Sequence, residues 1–480
     1  MQRAVSTFTN YELSVTSRAQ RMVAISVLAL FATTVVAQHG HRHNHARFHA
    51  GSLDLERRIL VPPPLNSISA AMPSQTVMAP SAVAAGSKPT GFPNAPAMPD
   101  ISSWKSLPVT RYPFQDHPPP TDSPEVKQWI SEVAASGIGI PDIAPFKEGD
   151  ANTGMCDVPE NKARIGNDTE CWWTCGHCAR ATDITTCNEK LTWGSSFDDG
   201  PAPYTPDLLQ FLGGKKLTTT FFVVGSRVVD KPDYLQAMYA AGHQIAVHTW
   251  SHWSLTTQTT EEIIAELGWS KKIIKDAIGV TPKYMRPPFG DIDDRVRAIS
   301  MAMGLTPIIW TTPSQTESFD TFDWSVQEGS QTAEGALAKF NAMLDSATKI
   351  DTGFIVLEHD IFESEVSLAM GYFLPAALAH KPAFKIQSIR ECIGMPVADV
   401  YAETASSKAL PPGNGVGGKV TSGAPFSNSS SNSQSDGQGG NTGGSQGGNG
   451  GTDTGTGGAL LRYPNVGPFA FLVAFVGLIL

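Results

Sequence analysis

The stretch SSFDDGPAPYTPDLL, Ser195–Leu209, compresses a strand end, a turn and a helix start into one short run. Asp198 and Asp199 stand side by side between an apolar segment and a Gly-Pro turn. Thr205-Pro206 reads as a helix start, because proline is pre-set for the first helical position, with Gly213-Gly214 following as its stop. Adjacent carboxylates repel, so a strand ending on two of them needs solvent or a cation beside them. A solvated turn would tolerate the pair; a metal site would require it.

Outward from this run the alternation repeats. β-Branched and aromatic segments recur at LTTTFFVV (Leu217–Val224), QIAVH (Gln244–His248), KYMR (Lys283–Arg286), TPIIWT (Thr306–Thr311), GFIVLEH (Gly353–His359) and FKIQS (Phe384–Ser388), all with strand composition. Helical segments lie between them. Thr259 and Glu262 form a capping box, IIAELGWSKKIIKDAI continues the helix, and Gly279 closes it. Strand–helix alternation from Leu191 to Ile393 predicts an α/β fold with parallel strands curled into a (β/α) barrel. No dinucleotide fingerprint follows the first strand, which weakens an open-sheet, cofactor-binding alternative.

Both ends of the chain read as processing segments. MVAISVLALFATTVVAQ follows Arg18 and Arg21, and Val35 and Ala37 fit the small-residue cleavage rule, so residues 1–37 are assigned to a secretory signal. The run is short for a membrane span of about 20 residues. The chain finishes on GPFAFLVAFVGLIL without a following basic residue, after a Gly/Ser/Asn/Thr tract. Residues 456–480 therefore fit a GPI-attachment signal, with Asn449 and Asp453 as candidate attachment residues. A secreted protein held at the outer face of the plasma membrane, or in the cell wall, is expected.

Between these ends, residues 38–150 are read as pro-segment and linker. QHGHRHNHARFHA is histidine-rich and could bind metal, but it lies in a polar stretch ahead of Arg57-Arg58, a dibasic processing pattern. The Pro/Ala/Ser-rich residues Val61 to Pro124 carry no sustained period and are expected to stay unpacked. Residues 396–455, with GNGVGGKVTSG and a Ser/Gly/Asn run, read as a flexible stalk. The formal net charge of −10 supplies no basic field for a nucleic-acid partner.

Six cysteines in a secreted chain read as disulfides. Five crowd into residues 151–187, as Cys156, Cys171, Cys175, Cys178 and Cys187. The C-x3-C-x2-C run with His177 invites a zinc-knuckle reading, which an oxidising compartment disfavours. Cys392 stands alone, and Cys187, nearest the domain start, is its expected partner; the other pairings stay open. Asn167, in Asn-Asp-Thr, and Asn428, in Asn-Ser-Ser, are glycosylation acceptors by pattern.

The polar residues gather at strand ends. Asp198 and Asp199 end the first strand, His248 ends QIAVH, Arg286 ends KYMR and His359 ends GFIVLEH. In a (β/α) barrel these ends build the active site. His248 and His252 are four apart, and a helical turn would bring both imidazoles to one cation. Two histidines and a carboxylate leave a coordination position for water, whose pKa a metal lowers to about 7. One aspartate can then ligate while its neighbour acts as base.

Five ordered motifs, SFDDGP, HTWSH, RPPFG, DTFDW and LEHD, resemble those of NodB-like polysaccharide deacetylases, carbohydrate esterase family 4. The resemblance spans Leu191 to about Ile393 and implies a distorted barrel of seven or eight strands over residues 188–395. It implies Asp198 as catalytic base, and Asp199, His248 and His252 as ligands of one divalent ion, Zn2+ or Co2+. His359 would be the catalytic acid, Asp323 its tuning partner, and Arg286 the residue that orients Asp198. Phe289 would offer its backbone N–H to the oxyanion, and Trp324 and Leu357 would line the acetyl pocket. Ser196 stands where the family usually has threonine, and Thr249 where serine is commoner.

With the signal, cysteines and tail, the implied substrate is chitin, acted on by a monomer. Trp250 and Tyr204 are candidates for stacking on sugar rings. The competing readings are the same chemistry on another acetylated polymer such as xylan, and a non-catalytic wall protein that binds polysaccharide. Retention of every acid, base and ligand position weighs against the last.

Overall fold

The computed structural model describes residues 62–72, 78–104, 111–150 and 153–415. The signal segment, the histidine-rich tract with Arg57-Arg58, Asn428, the expected stalk beyond residue 415, and the tail with Asn449 and Asp453 all lie outside the described residues.

Seven parallel strands form one curled sheet: β1 (Thr192–Asp198), β2 (Thr220–Val223), β3 (Gln244–Val247), β4 (Tyr284–Met285), β5 (Thr306–Pro307), β6 (Phe354–Ile355) and β7 (Lys385–Ser388). Their order is β5-β4-β3-β2-β1-β6, and β7 also pairs with β1. β1 is buried along its whole length, as a strand enclosed on both faces should be. Beyond the strand ends, Thr311 N–H donates to the Ile355 carbonyl at 3.0 Å, and Ile355 N–H to Thr311 Oγ1 at 2.9 Å. Through Thr311 the two ends of the strand order meet, and the expected curled α/β architecture is present.

The helices include α1 (Pro124–Ala135), α2 (Thr205–Lys215), α3 (Thr260–Ile278), α4 (Asp294–Ala302) and α5 (Asp323–Gln327). α3 carries both sides of the expected capping box and ends at Gly279 with φ +81°. Its Ile263, Ile264, Leu267, Ile273 and Ile274 are fully buried, which is what anchors it, since tertiary packing outweighs helix propensity. α2 starts at Thr205-Pro206 as read, yet Gly213 and Gly214 fall inside its last turn and Lys216, at φ +57°, ends it.

The sequence overstates three strands. KYMR, TPIIWT and GFIVLEH shrink to two-residue ladders, although single bonds continue past them: Arg286 N to Val247 O and Leu357 N to Phe319 O, each 2.9 Å. Curling the sheet breaks the regular ladder where the site forms.

Two stretches expected to be free are packed. From the Pro/Ala/Ser-rich segment, Ile68, Phe92, Met98 and Tyr112 are buried in the common core, Thr90 N–H donates to Ala240 O at 3.0 Å, and Gln236 Nε2 donates to Pro99 O at 2.8 Å. Composition missed this because isolated apolar residues with no period are enough when each has its own slot. Past Pro396, Tyr401 is buried and its hydroxyl accepts Ile245 N–H at 2.9 Å, while Asn414 Nδ2 donates to Thr186 O at 2.8 Å. Described residues up to 415 therefore belong to the domain, and not to the stalk.

The cysteines pair as Cys156–Cys175, Cys171–Cys178 and Cys187–Cys392. The last closes the expected tie between the two ends of the domain, and no cysteine is left for a zinc knuckle. Asn167 is exposed, with its Oδ1 accepting Thr169 N–H at 3.1 Å. Among the described residues no helix is long and apolar enough to cross a membrane.

Candidate active site

The strand-end residues converge on one point. Asp198 is the last residue of β1 and is buried. Arg286 Nη1 donates to its Oδ1 at 2.8 Å and to Ser196 Oγ at 2.9 Å. The Ser196 hydroxyl in turn donates to Val356 O at 2.9 Å, so serine fulfils the hydrogen-bonding role open to threonine here. The Arg286 guanidinium is itself buried and lies 4.1 Å from the Phe222 ring centroid.

Asp199 takes a left-handed backbone, φ +83°. Its N–H donates to Phe222 O at 3.1 Å, and its carbonyl accepts Arg227 Nη1 at 2.8 Å. Its Oδ1 lies 3.4 Å from His248 Nε2 and 3.0 Å from His252 Nε2. One atom from each of the three residues falls within 4.8 Å of the others. Despite these short separations, Asp199 Oδ1 has no aligned donor; the nitrogens share space with it without pointing N–H bonds at it. Burial alone would raise the Asp199 carboxyl, but His252, His248 and Arg227 outweigh it and hold it well below the usual carboxylate range.

His248 settles what that space fits. Its Nδ1 lies 2.8 Å from the Arg286 carbonyl, which can only accept, so Nδ1 carries a proton and Nε2 is the nitrogen turned toward Asp199. Two imidazole nitrogens and an orphaned carboxylate oxygen form a donor set suited to a divalent cation. The turn between the histidines is not the expected helical one. Thr249 and His252 both have φ +62°, and His252 N–H donates to Thr249 Oγ1 at 3.1 Å.

His359, bridged to Asp198 across the strand ends, faces Asp323 at the start of α5. Asp323 Oδ1 is 2.7 Å from His359 Nδ1, and its Oδ2 accepts His359 N–H at 2.8 Å. Burial lowers the imidazole pKa, but the Asp323 carboxylate overrides it and raises His359 well above its ordinary value.

The aromatic expectations divide. The Phe289 ring packs on His252 with centroids 4.7 Å apart, on a backbone of φ +59°. Trp324 is half-buried, its Nε1 directed at Asp320, and Leu357 is buried. Tyr204 is half-buried beside the start of α2. Trp250 must be corrected: it is fully buried and cannot stack on a sugar. Its indole lies 6.2 Å from that of Trp269.

Sequence reading assigned no role to the carboxylates behind the site. Glu266 of α3 accepts from Trp250 N at 2.7 Å and Ser251 N at 2.9 Å, and burial pushes it up to about 7. Its signal was a glutamate on the apolar face between Ile263 and Ser270. Asp360, pushed by burial to about 7, accepts Gly200 N–H at 3.0 Å and so fixes the turn after the aspartate pair. It was visible in LEHD, but only as a motif letter.

Residues 185–308 match the family model described as polysaccharide deacetylase. Chitin deacetylase 1 of Cryptococcus neoformans var. grubii is 46% identical over 351 residues, covering 72% of this chain and 71% of that protein. Chitin deacetylase of Amylomyces rouxii is 40% identical over 229 residues, 46% of this chain and 52% of that protein. The solved structure of the chitin deacetylase from Colletotrichum lindemuthianum aligns with TM-score 0.41 and 26% identity, over 47% of this chain and 97% of that one.

Proposed function

Because this chain belongs to the polysaccharide deacetylase family, we propose that it hydrolyses the N-acetyl groups of N-acetylglucosamine residues in chitin, giving chitosan and acetate. The observation that carries this reading is the convergence of Asp198, Asp199, His248, His252 and His359 at neighbouring strand ends, with Arg286 held against the first and Asp323 against the last. The relatives named as chitin deacetylases supply the substrate class.

Asp199, His248 and His252 would hold one divalent ion, Zn2+ or Co2+, by their nitrogen and oxygen donors. When bound, such an ion polarises a carbonyl and acidifies water. The rest belongs to the protein. Asp198 Oδ1 is fixed by Arg286, which leaves Oδ2 to take a proton from the attacking water. Phe289 would offer its N–H to the developing oxyanion, where one donor is worth about 3 kcal/mol. An amine leaves only when protonated, so His359, charged and held through Nδ1 by Asp323, would deliver the proton from Nε2. Water adds to the acetyl carbon, the C–N bond breaks, and acetate and free amine remain.

The Asp198→Asn protein should keep its metal and release no acetate from chitin oligomers, while His248→Ala should lose both. Acetate release by Asp198→Asn at the parent's rate would overturn the base assignment. Release from acetylated xylan in preference to chitin, with metal restored after chelation, would overturn the substrate. The apolar leader and tail support a secreted, GPI-held protein acting on the cell wall, which release from membranes by a GPI-cleaving phospholipase would test.

A further inference from the structure

Among the described residues, the exposed large hydrophobic side chains are Phe114, Trp253, Phe289, Phe362 and Leu378. One exposed apolar residue alone needs no explanation. Here, however, three stand on loops leaving the C-terminal strand ends: Trp253 beside His252, Phe289 against His252, and Phe362 just past His359 and Asp360. Phe114 comes from the segment ahead of the cysteines, outside residues 185–308, and is the most exposed of all at 78%.

Phe114 is anchored from behind the site. Trp250 Nε1 donates to its carbonyl at 3.0 Å. Tyr112 stacks on Trp250 at 6.3 Å, and its hydroxyl donates to Asp276 at 2.8 Å. On the other side, Asp116 N–H donates to Ser226 Oγ at 3.2 Å, and the Asp116 carboxylate lies 3.5 Å from Arg227 Nε. Arg227 Nη1 then reaches the Asp199 carbonyl at 2.8 Å. One guanidinium separates this segment from a candidate metal ligand. The backbone is fixed on both sides while the ring stays open to solvent, so binding there would cost little ordering.

We propose that Phe114 is a stacking platform for a hexopyranose ring of the polysaccharide beyond the residue being deacetylated, so that the N-terminal extension favours longer chains. This rests on the function proposed above. The face of such a ring is lined by C–H groups and its hydroxyls lie around the rim, so an aromatic side chain can cover the face while the hydroxyls keep their water. A short substrate fills the strand-end site alone; a long one also reaches the extension.

The test uses the full chain with the chitin dimer and hexamer. Affinity is measured by calorimetry in an Asp198→Asn background, which leaves the oligomers intact, and acetate release in the parent background. Phe114→Ala should weaken hexamer binding about tenfold, as expected for uncovering one aromatic side chain, and leave dimer binding and dimer turnover unchanged. Phe114→Trp should restore the hexamer. Equal losses on both oligomers, or no loss on either, would overturn the proposal. Acetate release by the parent reports on the activity separately: its absence at both lengths removes the deacetylase reading, while a hexamer-only loss of affinity would still support the platform.

Discussion

Replacing Asp323 by asparagine isolates the charge that His359 faces. The amide oxygen can still accept the Nδ1 proton, but the carboxylate's second contact and its negative charge disappear. The pair is 2.7 Å apart with side-chain exposures of 12% and 1%, so solvent screens it weakly. A hydrogen bond between charged partners is worth about 1.5–3 kcal/mol, against about 1 kcal/mol for a neutral one. Taking about 2 kcal/mol for the whole change gives a drop of about 30-fold in kcat/KM near neutral pH. The sign of the pH dependence follows from the direction of the shift. Asp323 raises His359, so the parent keeps its acid charged further into the alkaline range than a free imidazole with pKa about 6.5. In the variant the alkaline limb of the kcat/KM profile should move to lower pH. The parent-to-variant ratio should shrink as pH falls and both proteins hold the proton. Acetate release across pH 4 to 9, with metal content checked at each point, measures it. A ratio constant over the whole range would mean that Asp323 only shapes the loop, and the acid role of His359 would fail with it.

Two further perturbations probe the frame around the site. Replacing Cys187 and Cys392 together by serine opens a bridge spanning 205 residues and should lower unfolding free energy by about 4 kcal/mol in urea titrations; an unchanged midpoint would show that the ends are held without it. Tyr401→Phe strands the buried Ile245 N–H and should cost about 2 kcal/mol. An unchanged urea midpoint in Tyr401→Phe would show that this hydrogen bond does not hold the segment to the domain.

What the sequence disclosed, it disclosed through periodicity and chemistry together. β1 could be read because its polar end interrupts an otherwise apolar run, and α3 because cap, period and stop agree. His248, Arg286 and His359 could be placed because strand ends are where polar residues appear in a buried parallel sheet. Trp250 was misread for an equally physical reason. Its position between two ligand histidines implies proximity, but the turn there is not helical, and left-handed non-glycine residues such as Thr249 and His252, both at +62°, leave no mark in a sequence. The packing of Phe92 and Tyr112 was hidden because single apolar residues in a proline-rich stretch carry no period. Anchors such as Glu266 and Asp291 are distant in sequence from what they hold: Asp291 Oδ1 accepts from both Trp172 Nε1 and Thr174 Oγ1, at 2.9 and 2.7 Å.

The backbone strain bears on the aspartate pair itself. Ten non-glycine residues among those described have positive φ, and five of them, Asp199, Thr249, His252, Phe289 and Phe322, are site residues or their immediate neighbours. Each such conformation costs on the order of 1–3 kcal/mol unless its surroundings impose it. At Asp198 the chain keeps regular strand geometry and the carboxylate meets Arg286, so that residue needs nothing further. At Asp199 the chain accepts a left-handed residue and a buried oxygen without an aligned donor, a second cost of about 1–3 kcal/mol. Both costs fall on one residue, and of the two histidines that face its carboxylate, His252 has a left-handed backbone of its own. A structural turn would have no reason to gather such terms at a single residue. A cation bound between that oxygen and two imidazole lone pairs would offset them together, which is why the neighbouring carboxylates can differ in role while differing by one position in the chain.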